Sequence, residues 1–533
     1  MRRFSSYGPI NTEQHFYVPR KDLITKGHTF LIGDNPEMGG HYFTVWAPRQ
    51  TGKTWLMTQL VGKIKQSKDY HIGIISLQLA QKETSENDVL EVFLTAMKEA
   101  FGIDFPRIKK IREIRSLFTK QYFQKPVILI IDEFDALQEE FINSFANVFR
   151  EMYISRNSEL TKKSIDQTVL LHGLALIGVR SVLGIENTHG SPFNTQRSLP
   201  IPNLTLEEVQ YMFSCYEQES GQKIHAEVVK RLFIETNGQP GLISWFGEML
   251  TEGFQWYTND KTKPITKNEF EIVYAAAIYA LPNNNIMNLI SKAKETDNKE
   301  VILYLFQTQE KLEFAFDNKI INALFMNGLI VPEIVDQRYY YIKFACPFVQ
   351  KRLFNYFSNE YFNFVGRLVD PMVSMGAVIG DTTLNIRNII NLYQVYLQKN
   401  STWLFKSVPR RKDMRIHEAI FHFNLYAYLH SLLKAPGGEV IPEFPTGNGK
   451  IDLLISFHSN RYGLELKSFS NERNFIDALE QASCYGKHLN LAEIFLIVFI
   501  EKIDEAYRIK YQKEFPASQT GVKVIPLFVE TGE

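Results

Sequence analysis

The sequence predicts an α/β protein of several domains: a parallel sheet flanked by helices at the N-terminal end, a helical middle, and a second, smaller α/β unit at the C-terminal end. Three observations lead there. Short apolar runs alternate with helical stretches over residues 29–204, as in a parallel sheet whose strands are joined by helices. The segment Ala47-Pro48-Arg49-Gln50-Thr51-Gly52-Lys53-Thr54 stands between a strand-like run and a helical one. Far downstream, Asp452 and the triplet Glu465-Leu466-Lys467 lie on two neighbouring apolar runs.

Bulk properties bound the reading. A chain of 533 residues fits three or four domains of about 100–200 residues each. Hydrophobic residues make up 45% and charged residues 22%, a globular profile. The formal net charge is zero, which excludes a global basic field of the kind that coats nucleic acid. A local cluster, Lys406, Arg410, Arg411, Lys412 and Arg415, reads equally as a nucleic-acid contact or as a solvated linker. The three cysteines, Cys215, Cys346 and Cys484, have no zinc spacing. A reducing, cytoplasmic setting is expected. The basic N-terminus is not followed by a long apolar run, so no signal peptide is expected. No run of about 18 apolar residues predicts a membrane span.

Element by element, residues 1–28 read as polar and without periodicity. Strands are expected at Tyr42–Trp46, His71–Leu77, Val127–Ile131 and Leu174–Gly178. The third is a continuous apolar run, suited to a strand buried on both faces. Residues 205–258 read as helical, with Thr205 as an oxygen-bearing cap ahead of Glu207 and Glu208. Residues 268–360 give helices and then the runs 329–331 and 339–342, an order that suits a winged-helix unit.

The loop 47–54 is a phosphate-binding pattern with Ala47 where glycine usually stands. Gly52 lets backbone N–H groups approach phosphates. Lys53 reaches the β- and γ-phosphates, and the Thr54 hydroxyl can ligate Mg²⁺. The helix starting here turns its positive end to the anion. Asp132 and Glu133 follow the buried strand; Asp132 can hold Mg²⁺ through water, and Glu133 can orient an attacking water.

On these residues the segment 25–260 resembles the AAA-like ATPases, among them the signalling branch called STAND ATPases. The resemblance implies a P-loop NTPase domain with a helical lid, and ATP bound by Ala47, Pro48, Arg49, Gln50, Thr51, Gly52, Lys53 and Thr54. It implies a γ-phosphate sensor at Arg180, after Gly178-Val179, and a base-packing segment around Pro240 in Asn237-Gly238-Gln239-Pro240-Gly241. Arg150, Arg156 and Arg197 are the candidates for a finger acting on a neighbouring copy, since such ATPases often assemble when nucleotide binds.

At the C-terminal end a helix is expected over 413–434, strands over 438–444, 451–457 and 462–468, a helix over 472–488, and strands over 493–501 and 523–529. The short loop between the second and third strands makes them antiparallel neighbours. Asp452 and Glu465 then fall at the same end, and Glu465 and Lys467 share a face. Two carboxylates and a lysine on one face suit Mg²⁺ or Mn²⁺, which activates water and stabilises charge on a phosphate. This pattern resembles the PD-(D/E)XK nuclease superfamily, with Ile451-Asp452 in place of Pro-Asp. The resemblance covers residues 411–530 and implies Glu418 as a further metal ligand and Gln481, in a Gln-x-x-x-Tyr pair with Tyr485, as a site residue. His417, His422 and His430 read as ordinary helix residues.

The expected organisation is an N-terminal segment (1–28), a P-loop ATPase core (29–204), a helical lid (205–265), a winged-helix-like domain (266–360), a linker with helices (361–410) and a nuclease-like domain (411–533). The expected function is ATP-regulated, Mg²⁺-dependent cleavage of nucleic acid, with DNA as the expected partner. The resemblance implies a role in bacterial defence or mobile-element biology and leaves room for an activating partner protein. The alternatives are a signalling or assembly ATPase whose C-terminal domain binds nucleic acid or protein without cutting, and a sensor that binds ATP without turning it over.

Overall fold

The computed structural model describes residues 1–8, 10–159, 161–178, 197–307, 311–411, 415–445, 450–516 and 520–532. The chain divides into two compact units, Met1–Leu289 with Phe314–Val331, and Ile290–Glu313 with Pro332–Glu533.

The first unit opens on helix α1 (Lys21–Ile32), then β1 (Tyr42–Trp46), α2 (Lys53–Lys65), β2 (His71–Ser76), α3 (Glu86–Phe101), β3 (Val127–Asp132), α4 (Glu139–Asn157), β4 (Leu171–Gly178) and β5 (Arg197–Pro200). The four expected strands are all present. The sheet is parallel, in the order β2-β3-β4-β1-β5. Its side chains alternate between two cores. Val127, Leu129 and Ile131 join residues of α3 and α4 on one face; Ile128 and Ile130 join residues of α1 and α2 on the other. Burial on both faces explains the unbroken apolar run of β3.

Residues 1–28 are more ordered than the sequence indicates. Phe4 and Phe16 are buried, and Phe4 packs 4.8 Å from Phe213. The helices α5 (Leu206–Ser220), α6 (Ala226–Thr236) and α7 (Pro240–Glu252) follow. Thr205 and Glu208 form a reciprocal capping box that fixes the start of α5.

The chain continues through α8 (Lys267–Tyr279), α9 (Asn284–Ala293), α10 (Thr296–Gln307), α11 (Lys319–Asn327) and the hairpin β6 (Ile330–Val335) and β7 (Tyr339–Phe344). Asp336 and Gln337 both take positive φ in its turn, as a tight hairpin requires. The boundary between the units falls within β6.

The second unit adds α12 (Pro347–Phe362), α13 (Ile386–Leu404), α14 (Glu418–Leu433), β8 (Glu439–Pro445), β9 (Lys450–Phe457), β10 (Asn460–Ser468), α15 (Glu472–His488), β11 (Glu493–Ile500), α16 (Glu505–Tyr511), β12 (Phe515–Pro516) and β13 (Lys523–Glu530). Its six-stranded sheet has the order β12-β13-β11-β10-β9-β8. β8, β9 and β10 are antiparallel, whereas β10, β11 and β13 run parallel. α15 packs its apolar side, Phe475, Ala478, Leu479 and Ala482, on one face of this sheet. One boundary is corrected: the helix expected from 413 begins at Glu418. Arg410 pairs with Ile416 in an isolated bridge and His417 is extended, so the described residues just ahead of Glu418 are not helical. No helix among the described residues is long and apolar enough to cross a membrane.

Candidate functional sites

In the first unit, the loop between β1 and α2 turns through Gln50 (φ 58°) and Gly52 (φ 87°). Gly52 caps α2 in the left-handed region, where a side chain would be strained. Lys53 folds back over the loop and donates to the carbonyls of Ala47 (2.6 Å) and Pro48 (2.7 Å). Burial pushes its ammonium down to about 8, against the pull of Asp135 and then Asp132. Thr54 Oγ1 donates to Asp132 Oδ2 at 2.6 Å, which joins the start of α2 to the tip of β3.

Beside it, Glu133 stands in the left-handed region (φ 53°). Its backbone N–H donates to Asp132 Oδ1 at 2.9 Å, and its carboxylate accepts from Ser76 Oγ at 2.7 Å. Ser76 is the register partner of Asp132, so both polar groups stand at one edge of the sheet. Reading the sequence alone misses Ser76 and Asp135. Asp135 has a weak sequence signal, its place in Asp132-Glu133-Phe134-Asp135; Ser76 has none.

The start of α7 reaches the loop directly. Gly241 N–H donates to Gln50 O at 3.0 Å, and Gln239 Nε2 donates to Arg49 O at 3.1 Å. A Cβ at Gly241 would stand 2.6 Å from the Gln50 side chain. Pro240 is thus the first residue of α7 at the loop itself.

Arg180 lies outside the described residues, as does the side chain of Arg197. Arg150 is exposed on α4. Arg156 is corrected: it cannot reach a neighbouring copy. Its guanidinium is buried, over the Tyr42 ring, and donates to Gln167 Oε1 and the carbonyls of Leu171 and His172.

In the second unit, strand register assembles an acidic row. Leu464 pairs with Leu453, which sets Glu465 opposite Asp452. Pro442 pairs with Leu453 and Phe444 with Ile451, which sets Glu443 opposite Asp452 from the other side. All three carboxylates are buried. Asp452 Oδ2 accepts from Leu466 N–H at 2.7 Å, and Lys467 Nζ stands 2.9 Å from Glu465 Oε1. Glu443 is paired with Lys450 and accepts from Gln350 at 2.7 Å. Among the described residues, Glu465 Oε2 and Glu443 Oε1 have no hydrogen-bond partner.

Burial, with Asp452 second, pushes the Glu465 carboxyl up to about 8 against the opposing pull of Lys467. Lys467 is raised: burial opposes its charge, but Glu465, Asp452 and Glu418 outweigh that.

Around this row, His422 Nε2 lies 3.4 Å from Glu418 Oε1. Burial disfavours the His422 imidazolium, yet Glu418, Asp452 and Glu443 together raise its pKa. His422 is therefore corrected from an ordinary helix residue to a member of the buried cluster. Gln481 Nε2 donates to Tyr485 OH at 2.6 Å on α15. Burial and Glu465 raise the tyrosine hydroxyl to about 12. Sequence reasoning misses Glu443, Lys450 and His422 as site residues. Of these, only His422 carries a signal, its spacing of four from Glu418 on one helix.

Among the described residues, no three His, Cys, Asp or Glu side chains are gathered closely enough to hold a metal ion. The donor chemistry nevertheless fits a small hard cation. Mg²⁺ takes one or two carboxylates and keeps waters elsewhere, and the unpartnered Glu465 Oε2 has coordinating capacity to spare.

Residues 5–253 match the family described as AAA-like domain. Similar solved structures include the Walker-type ATPase paby2304 of Pyrococcus abyssi, at 13% identity and a TM-score of 0.43, covering 66% of this chain and 99% of that one. Cdc6p from Pyrobaculum aerophilum is 10% identical with a TM-score of 0.36, covering 64% and 96%. The Thermotoga maritima RuvB Holliday junction branch migration motor is 12% identical with a TM-score of 0.33, covering 62% and 94%. No curated protein matches. The N-terminal part of the chain is an AAA-like P-loop ATPase domain.

Proposed function

We propose that this chain is an ATP-regulated, divalent-cation-dependent nuclease in which the AAA-like domain governs a PD-(D/E)XK-like centre acting on DNA. The observation that carries the reading is the cross-strand pairing of Asp452 with Glu465, with Lys467 2.9 Å from Glu465. Two buried carboxylates facing each other are unfavourable without a countercharge. Asp452 and Glu465 would hold Mg²⁺ or Mn²⁺, with Glu418 beside them. The bound ion would supply Lewis-acid stabilisation of a phosphate and a more acidic water. Lys467 would neutralise phosphate oxygens, and Gln481, held by Tyr485, would orient the strand or the attacking water.

In the ATPase domain, the 47–54 loop would hold the phosphates, Thr54 and Asp132 a Mg²⁺ ion, and Glu133, held by Ser76, the attacking water. Turnover would change how the lid grips the loop and so set the state of the chain.

A second reading, a signalling ATPase whose C-terminal domain binds without cutting, is favoured by one observation. Asp452 and Glu465 already have internal partners in Leu466 N–H and Lys467. Cleavage of plasmid and linear DNA with Mg²⁺ or Mn²⁺, with and without ATP, separates the two. Cutting that is lost in Asp452→Ala and altered in Lys53→Ala supports the nuclease. The absence of metal-dependent cutting in every nucleotide state sinks it and leaves the binding reading.

A further inference from the structure

One stretch of the second unit carries exposed aromatic rings and, close by in sequence, exposed cations. Phe364 is 70% exposed and Trp403 43% exposed, and their rings lie 6.0 Å apart. Single exposed apolar side chains are ordinary, but apolar groups that lie together in water can mark a binding site. Trp403 is held in place: its indole N–H donates to Asn400 at 3.0 Å, and the Gly366 backbone lies so close that an added Cβ would stand 3.2 Å from the ring. With its N–H engaged and its position fixed, the side chain offers a π face.

The cations follow along the chain. No Asp or Glu occurs from residue 382 to residue 412. Lys406, Arg410 and Arg411 are exposed, as is Arg415 a little further on, while the exposed Lys399 pairs with Asp370 at 3.4 Å. Arg411 N–H donates to Arg415 O at 2.8 Å, beside the Arg410–Ile416 bridge, which holds the backbone of Arg410, Arg411 and Arg415 together. The pair of Arg415 with Glu501 at 3.2 Å is exposed on both sides, so it holds the arginine weakly.

This surface is tied to the acidic row by aromatic packing. Phe405 lies 5.3 Å from Phe421, and Phe421 stacks 5.3 Å from Phe499. Phe499 lies 6.3 Å from His422 and is the register partner of Ser468, which follows Lys467.

We propose that Phe364, Trp403, Lys406, Arg410, Arg411 and Arg415 form a docking surface for a single, unpaired nucleic-acid strand leading to the Asp452–Glu465 centre. Bases stack on the aromatic pair and phosphates lie along the cations. That combination is what sequence-tolerant binding of a single strand requires, because every base has a π face and every nucleotide a phosphate. A duplex keeps its bases stacked inside and has no use for the rings. The inference deepens the nuclease reading by naming the form of the substrate, and its binding half stands without catalysis.

The test is fluorescence anisotropy of the full chain with a labelled oligo-dT strand, a duplex of equal length, and anionic phospholipid vesicles, all in EDTA. Single-strand binding stronger than duplex binding is expected. Trp403→Ala is expected to weaken it by roughly tenfold, in line with removal of about one base–aromatic stack; Trp403→Phe restores most of it. Arg410→Ala with Arg411→Ala is expected to flatten the logarithmic salt dependence by about 0.7 for each phosphate no longer neutralised. Equal binding of strand and duplex overturns the proposal, as does a preference for vesicles or binding unchanged in both the Trp403 and arginine variants. Asp452→Ala, assayed alongside, keeps the two readings apart. Strand binding without cutting by the unaltered chain removes the nuclease and leaves this surface. Normal binding and normal cutting by the Trp403 and arginine variants remove the surface and leave the nuclease.

Discussion

Thr54 Oγ1 donates to Asp132 Oδ2 at 2.6 Å, across 78 residues of sequence. The hydroxyl that opens α2 and the carboxylate that ends β3 are thus already together. Asp132→Asn should keep nucleotide binding but lose Mg²⁺-dependent turnover, by about 100-fold if the cation is needed for phosphoryl transfer. Lys53→Ala should lose binding itself. Titration with a fluorescent ATP analogue and phosphate release separate the two; equal loss of binding in both variants refutes the division of roles.

Arg156 should behave as a core residue. Removing it strands two carbonyls and Gln167 that accept its donors, a cost of about 3 kcal/mol. Arg156→Ala should therefore lower the melting temperature of the ATPase unit. Unchanged melting, with ATPase activity that no longer depends on protein concentration, would return Arg156 to the role of finger.

His172 gives a pH dependence. It is fully buried between Ser164 Oγ (2.8 Å) and Ile32 O (2.9 Å), and burial, helped by Arg156, pushes it down to about 4. The unfolded chain takes up a proton near pH 6.5, which the folded chain refuses until about 4. Stability is therefore fully present above 6.5 and falls as pH drops toward 4, by up to about 3 kcal/mol from this group. His172→Gln should show a shallower loss over that window in denaturant titrations. Parallel curves for the two proteins would assign the acid sensitivity elsewhere.

In the acidic centre, charge removal and charge isolation should differ. Above about pH 8, where Glu465 is ionised, Lys467→Ala leaves it buried without its countercharge and should cost about 3–5 kcal/mol without added metal. Glu465→Gln keeps the shape, removes the repulsion with Asp452 and leaves Lys467 facing the charges of Asp452 and Glu418, so it should cost less. Both should abolish cutting. Urea denaturation in EDTA checks the order of stabilities; a Glu465→Gln protein less stable than Lys467→Ala contradicts it.

The elements legible in the sequence are those whose pattern is local. β3 is an unbroken apolar run, the phosphate loop is contiguous, and Thr205 with Glu208 makes a capping box within one turn. Asp452 and Glu465 are legible because a short hairpin fixes which residues meet. Glu443 is not: the strand is expected over 438–444, but nothing in the sequence gives its register against β9, and Glu443 faces Asp452 only through that register. Arg156 reads as a surface charge on a helix, because its acceptors lie beyond the helix in Gln167, Leu171 and His172. The spacing of four from Glu418 hints at His422, but the charges of Asp452 and Glu443 that act on it come from other strands and are not local in sequence.

The bond from Gly241 N–H to Gln50 O makes α7 a lever with its short arm on the phosphate loop. Its 13 residues form a rod of about 20 Å, so a small displacement of the Gln50 carbonyl becomes a larger sweep at the far end. Exchange of the Gly241 amide with deuterium is then a direct gauge of that linkage: the amide is protected while the lever is engaged and exposed when the loop lets go.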